Sequence, residues 1–169
     1  EAERMKAELG TKAACARWHL IGHLQSNKIN KALPLFDMIQ TVDSAKLARA
    51  IASRTDRTVP ILIEINSGRE PQKSGVIPEE AERVVREIAA VENVRVQGLM
   101  TMGPASGDPE EARPYFRETR QLFDHLASMA IEGGGMEILS MGMSNAYRVA
   151  VEEGSTMIRP GPVLFGERE

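Results

Sequence analysis

Six short apolar runs, each followed by a polar or glycine-bearing link and then by a stretch patterned as helix, dominate the chain. The runs begin at Trp18, Met38, Val59, Val94, Met136 and Thr156. The clearest, residues 59–66 (VPILIEIN), is β-rich and nearly continuous in apolar side chains, as a parallel strand covered on both faces must be. Helical patterning covers residues 26–33, 44–53, 78–91, 109–131 and 145–153, and also residues 1–9, which stop at Gly10 and start without an N-cap. Asp43 or Ser44 caps the helix over 44–53. Pro78 opens the next one, with acidic residues in its first turn. Strands and helices alternating over such short links require a parallel sheet with right-handed crossovers.

A closed barrel of such units has eight strands. The expectation is therefore an α/β chain folded as an incomplete (β/α)8 TIM barrel of about six βα units. Its first two strands would be missing from the sequence, and residues 1–169 would form a single domain. The alternative is an open, six-stranded doubly wound sheet. A barrel short of two strands leaves two unpaired edges, so the chain alone is expected to be poorly soluble or oligomeric.

Composition bounds the function from the other side. The chain has 169 residues, 42% hydrophobic and 27% charged, with a formal net charge of −3. That is ordinary for a soluble globular domain. The absence of a basic tract argues against nucleic acid as a partner, and no apolar run is long enough to span a membrane. Cys15 is the only cysteine. It excludes internal disulfides, fits a reducing cytoplasm, and reads as a small, partly buried residue near a helix end.

The densest functional signal lies in LSMGMSNAYRVAVEEGSTMIRPGPVLFG, residues 139–166. A turn at Met141-Gly142-Met143-Ser144-Asn145 opens one helix, and a second turn at Arg159-Pro160-Gly161-Pro162 follows the next strand. Helix N-termini and glycine turns both direct N–H donors at an anion. In (β/α)8 barrels the loops after the last two strands are the usual phosphate site. Each residue also has a plainer reading: Gly142 and Gly161 as turn residues, Ser144 as an N-cap, Met141 and Met143 as core, Arg159 as a surface ion pair. Two adjacent units with the same features, plus a guanidinium at a strand end, favour a site. Such a guanidinium can bond a phosphate, or it can face the ring nitrogen of a heteroaromatic and keep it unprotonated.

Other strand ends add Asn66, Thr101, His23, Lys28, Lys73 and Ser74. His23 follows Gly22 at a strand end and is as consistent with facing a ligand as with a structural role, whereas His19 reads as structural and His125 as helix surface. No cluster has metal-ligand spacing.

The segments WHLIGHLQSNKINKAL, VPILIEINSGREPQKSGV, VRVQGLMTMG and LSMGMSNAYRVAVEEGSTMIRPGPVLFG, in that order from Trp18 to Arg168, resemble the pyridoxal phosphate homeostasis proteins. The resemblance implies a barrel of the alanine racemase N-terminal-domain type that binds pyridoxal 5′-phosphate (PLP). It also implies a carrier or buffer for cellular vitamin B6, without demonstrated turnover, and PLP-dependent apo-enzymes as recipients. Such a protein, when complete, would be a monomer or a weak dimer. Carried onto this sequence, the phosphate would sit on Ser140, Met143 and Ser144 and on the backbone at Gly161, Arg159 would face the pyridine nitrogen, and Asn66 would join the site.

Two departures accompany it. The family's Schiff-base lysine lies ahead of Glu1, and neither Lys28 nor Lys73 matches it, so the resemblance implies a phosphate cup and ring contact without the covalent anchor, and weak PLP binding. Pro162 stands where the family has a hydroxyl residue, which removes a phosphate contact. The competing readings are an amino-acid racemase, for which Tyr115 and Tyr147 lie on helices rather than at strand ends, and a sugar-phosphate isomerase or aldolase, for which Glu64 lacks a carboxylate partner.

Overall fold

The computed structural model describes residues 1–104 and 108–166; Arg168, where the resemblance ends, lies outside the described residues. Its elements are α1 (Ala2–Leu9), β1 (His19–Leu20), α2 (Ile29–Ala32), β2 (Met38–Val42), α3 (Ala45–Ala52), β3 (Val59–Glu64), α4 (Ala81–Ala89), β4 (Val94–Met100), α5 (Arg113–Ser128), β5 (Gly134–Met143), α6 (Tyr147–Glu152), β6 (Met157–Arg159) and α7 (Pro162–Phe165). All six strands are parallel, and each pairs with the next in chain order. A doubly wound sheet reverses its strand order at a switch point; strict sequential order is what a barrel requires, and the doubly wound alternative falls.

The sheet is curled as well as ordered. In a flat sheet β2 and β5, three spacings apart, would lie about 14 Å from each other. Instead the Ser140 hydroxyl of β5 donates to Gln40 Oε1 of β2 at 2.7 Å, and Gln40 Nε2 reaches Met157 Sδ of β6 at 3.1 Å. The inner face has closed on itself.

Alternation along each strand separates two apolar regions. Ile39, Ile61, Ile63, Val96, Leu99 and Leu139 point outward and pack with Ala48 and Ile51 of α3, Val85 and Ile88 of α4, and Phe116 and Leu126 of α5. Met38, Leu62 and Met100 point inward and form a small separate cluster with Ile138. The interior is thus only partly apolar.

Several boundaries differ from the sequence expectation. Cys15 is exposed, on a 3₁₀ turn (Gly10–Cys15) that leads out of an α1 with no buried residue. Lys6 holds α1 by donating to Leu35 O at 2.5 Å and by lying 5.0 Å from the Trp18 ring centroid. Strand β5 runs through Met143, so the expected turn at 141–145 begins inside the strand. Gly142 is there because its φ is +95° and a Cβ would lie 2.6 Å from Ala150 Cβ: α6 packs directly on the strand at that point. Ser44 caps α3, accepting from Leu47 N at 3.4 Å. Among the described residues, β1 and β6 each pair on one side only, and no helix is long and apolar enough to cross a membrane.

Candidate functional site

The C-terminal ends of the parallel strands surround a cavity of about 730 Å³, where barrel proteins assemble their sites. Its wall is drawn from His23 after β1, Thr41 of β2, Glu64 to Ser67 at the end of β3, Thr101 to Gly103 after β4, Met143 at the end of β5 and Asn145 beyond it, and Glu70, Lys73 and Ser74 from the loop between β3 and α4. Among the six residues singled out from sequence, Asn66 and Met143 line it directly.

Arg159 lies beneath that wall, on the inner face of β6. It is 8% exposed. Its Nη1 donates to Ser140 Oγ at 2.6 Å, and its Nη2 to Thr101 O at 2.7 Å. Nη2 also approaches Met102 Sδ at 3.4 Å. Among the described residues no carboxylate pairs with it, so the surface ion-pair reading falls. Burial pulls its pKa down to about 10, against the opposing influence of Glu64; it is still a cation at neutral pH. Its Nε–H is buried and has no partner among the described residues. An orphaned buried donor costs about 1–3 kcal/mol unless an acceptor meets it.

The two βα turns touch. Ser144 Oγ accepts from Gly161 N at 2.9 Å and from Val163 N at 3.5 Å. The Ser144 hydroxyl therefore does not cap its own helix, whose N-cap, Ala146, makes no side-chain bond. The N–H groups of the second turn converge on the first. In the sequence the turn shows Pro162, which has no N–H, and not Val163; a proline at the first position of a helix leaves the next N–H without an intrahelical partner, and Ser144 supplies one. A Cβ on Gly161 would meet nothing within 4 Å, so packing does not require glycine there, and the backbone at that turn is open to close approach.

Asn66, in the cavity wall, is also bonded to its own loop. Its Nδ2 donates to Glu70 O at 2.9 Å and its Oδ1 accepts from Glu70 N at 3.0 Å. The amide shapes the loop over 67–76. Within that loop Lys73 pairs with Glu70 and reaches Gly103 O at 3.3 Å. Lys73 thus faces the cavity as an engaged cation, whereas Lys28, on a 3₁₀ turn, is not part of the wall. His23 Nδ1 lies 3.5 Å from Ser74 Oγ. Thr101 donates to Ile65 O at 2.9 Å, so Ser67 must donate to Thr101, also at 2.9 Å.

Burial pushes the Glu64 carboxyl above its usual range; Asp43 adds to the rise, while His23 and Arg159 oppose it. A carboxyl with a raised pKa disfavours folding when ionised. The cost is absent where the group is protonated in both states, and it grows as pH rises past about 4.3. Glu64→Gln is expected to raise the Tm at pH 7 and leave it unchanged near pH 3.5. Scanning calorimetry at the two pH values decides; a lower Tm at pH 7 would show that ionised Glu64 holds the site together.

An inward strand-end cation, a pair of touching turns and a wide cavity over sequentially paired parallel strands define a (β/α) barrel. The family model described as alanine racemase, N-terminal domain, matches residues 1–169. A pyridoxal phosphate homeostasis protein of Aquifex aeolicus is 41% identical over 155 residues, covering 90% of this chain and 67% of that protein. The human protein of the same name is 37% identical, with 90% and 59% covered. PipY of Synechococcus elongatus, solved with PLP bound, superposes with a TM-score of 0.84 at 33% identity, covering 98% of this chain and 77% of that one. The chain belongs to the alanine racemase N-terminal-domain family, and within it to the pyridoxal phosphate homeostasis proteins. It spans about two thirds of the length of its Aquifex relative and 59% of the human one.

Proposed function

We propose that this chain binds PLP and serves in its homeostasis as a carrier or buffer. The observation that carries the reading is the buried guanidinium of Arg159, held by Ser140 and by the Thr101 carbonyl with its Nε–H left over. An unprotonated pyridine nitrogen is an acceptor without a proton of its own, which is what that donor lacks. The N–H groups of Gly161 and Val163, which the Ser144 oxygen accepts in the ligand-free chain, suit a phosphate that takes over that acceptor place. Met143 supplies apolar wall beside them, and Ser140 acts through Arg159 by holding it. Asn66 contributes by fixing the loop that carries Lys73.

When bound, PLP supplies an aldehyde that captures amines and a ring that withdraws electrons. A cation donating to the ring nitrogen leaves that nitrogen unprotonated and the withdrawal weak, which favours storage and release over turnover. A racemase needs a second proton-transfer group opposite the first; Tyr115 and Tyr147 are not in the cavity wall. PLP-dependent apo-enzymes as recipients, a cytoplasmic setting, a monomer or weak dimer for the complete protein and a single domain over residues 1–169 belong to the same proposal.

The test is a titration of the ¹⁵N-labelled chain with PLP and with pyridoxal. PLP should bind at least tenfold more tightly, since the phosphate contributes charge-assisted bonds of about 1.5–3 kcal/mol each. Equal affinities would remove the phosphate turns from the account, and racemisation of an amino acid by the loaded protein would replace the carrier by an enzyme.

A further inference from the structure

The barrel interior holds a chain of polar side chains that crosses it from β1 to β6. Arg159 Nη1 meets Ser140 Oγ at 2.6 Å, Ser140 Oγ meets Gln40 Oε1 at 2.7 Å, and Gln40 Nε2 meets His19 Nδ1 at 2.9 Å. Gln40 is 1% exposed and Ser140 0%. They sit against the inward apolar cluster of Met38, Leu62 and Met100. An apolar side chain would fill the place of Gln40 at less cost.

The direction of every bond follows from one end. A guanidinium donates and cannot accept, so Ser140 Oγ is the acceptor there. The single Ser140 proton is then free for Gln40, which requires the Gln40 carbonyl oxygen on that side. The Gln40 amide nitrogen must therefore face His19, and since it only donates, His19 Nδ1 is an acceptor. The second Gln40 N–H points to Met157 Sδ at 3.1 Å, another acceptor. Each group has one consistent role, and His19 is a neutral imidazole with its proton on Nε2. Burial lowers the His19 pKa, with Asp37 opposing and Arg17 assisting, in agreement with the neutral form.

We propose that Gln40 and His19 are positioning residues for Arg159: the wire fixes the guanidinium through Ser140 so that its free Nε–H is held at one angle to the ligand. Gln40 lies 119 positions before Arg159 in the chain, and it reaches the guanidinium through Ser140. For the ligand itself the inference rests on the PLP reading above; the wire stands without it.

The experiment reads the ligand-free chain by ¹⁵N NMR of the imidazole and guanidinium groups, then repeats the PLP titration. In the wild type at pH 7.5, His19 is expected as the Nε2–H form with an unprotonated Nδ1. Gln40→Glu replaces the donor facing His19 by a carboxylate, so His19 should become protonated at pH 7 while Arg159 stays held. Gln40→Leu cuts the wire: exchange of the Arg159 Nε–H with solvent should quicken at least tenfold, and PLP affinity should fall about tenfold. A wild-type His19 carrying its proton on Nδ1, or Arg159 exchange unchanged in Gln40→Leu, overturns the proposal. If the leucine variant does not fold, the wild-type tautomer and the Gln40→Glu shift still decide. If wild-type PLP binding fails while the ligand-free signals behave as stated, the wire holds and the PLP reading falls.

Discussion

Gly98→Ala is expected to destabilise the chain by at least about 4 kcal/mol, enough to remove most of the stability of an ordinary domain. Gly98 lies within β4 at φ +147°, opposite Ile138 of β5. A Cβ there would stand 1.8 Å from Ile138 O and 2.8 Å from Ile138 C. Those are backbone atoms of the neighbouring strand, and no rotamer change relieves the overlap; the two strands must separate. Just past the end of β4 comes Thr101, and beyond Ile138 in β5 comes Ser140, the two groups that grip Arg159. The damage would therefore reach the site. Gly161→Ala is the matching control, since an added Cβ there meets nothing within 4 Å and φ is −110°; its stability should stay within about 0.5 kcal/mol of wild type. Urea unfolding of both variants measures the contrast. A cooperative transition for Gly98→Ala at the wild-type midpoint would mean that β4 and β5 are not paired as described.

Arg159→Met is expected to separate binding from stability. Methionine keeps an unbranched, flexible stem and carries no charge. Arg159 is a buried cation without a carboxylate partner among the described residues, and replacing such a charge by an apolar group is often neutral or stabilising. Against that stand the lost bonds to Ser140 and Thr101; Ser140 keeps its bond to Gln40. The fold should remain within about 1 kcal/mol of wild type by thermal unfolding. PLP affinity should fall by about 10- to 100-fold, the loss of one charge-assisted hydrogen bond of about 1.5–3 kcal/mol. Wild-type affinity in Arg159→Met would detach Arg159 from the ligand, and collapse of the fold would make it a structural residue.

Much of this architecture is visible in residue patterns. Residues 38–42 and 94–100 read as strands and are strands, because their apolar runs are short, β-rich and bounded by turn residues. Ser44 reads as a cap and is one. Gly142 was harder: a Gly-Met-Ser stretch has turn chemistry, yet here the glycine permits α6 to rest on β5, a packing reason that local pattern does not carry. Asn66 shows a similar limit, since a polar residue at a strand end reads as facing a ligand, and local pattern does not show its bonds to its own loop. Gln40 carries no local signal of its role. It sits in a five-residue strand buried throughout, and its partner Ser140 is 100 positions away. The signal that would have marked it is a glutamine in an otherwise apolar inward position, since a buried amide must find partners. Arg159 was found because its neighbours, two glycine-bearing turns, are local.

The central claim is that PLP meets this chain at Arg159 and at the turn pair formed by Ser144, Gly161 and Val163. The most direct measurement follows the ¹⁵N resonances of the Arg159 Nε and of the Gly161 and Val163 amides during the PLP titration. The account predicts that all three move together and saturate at one equivalent, with the Arg159 Nε–H becoming slower to exchange as its missing acceptor arrives. Saturable shifts confined to other residues, with these three unmoved, would contradict it.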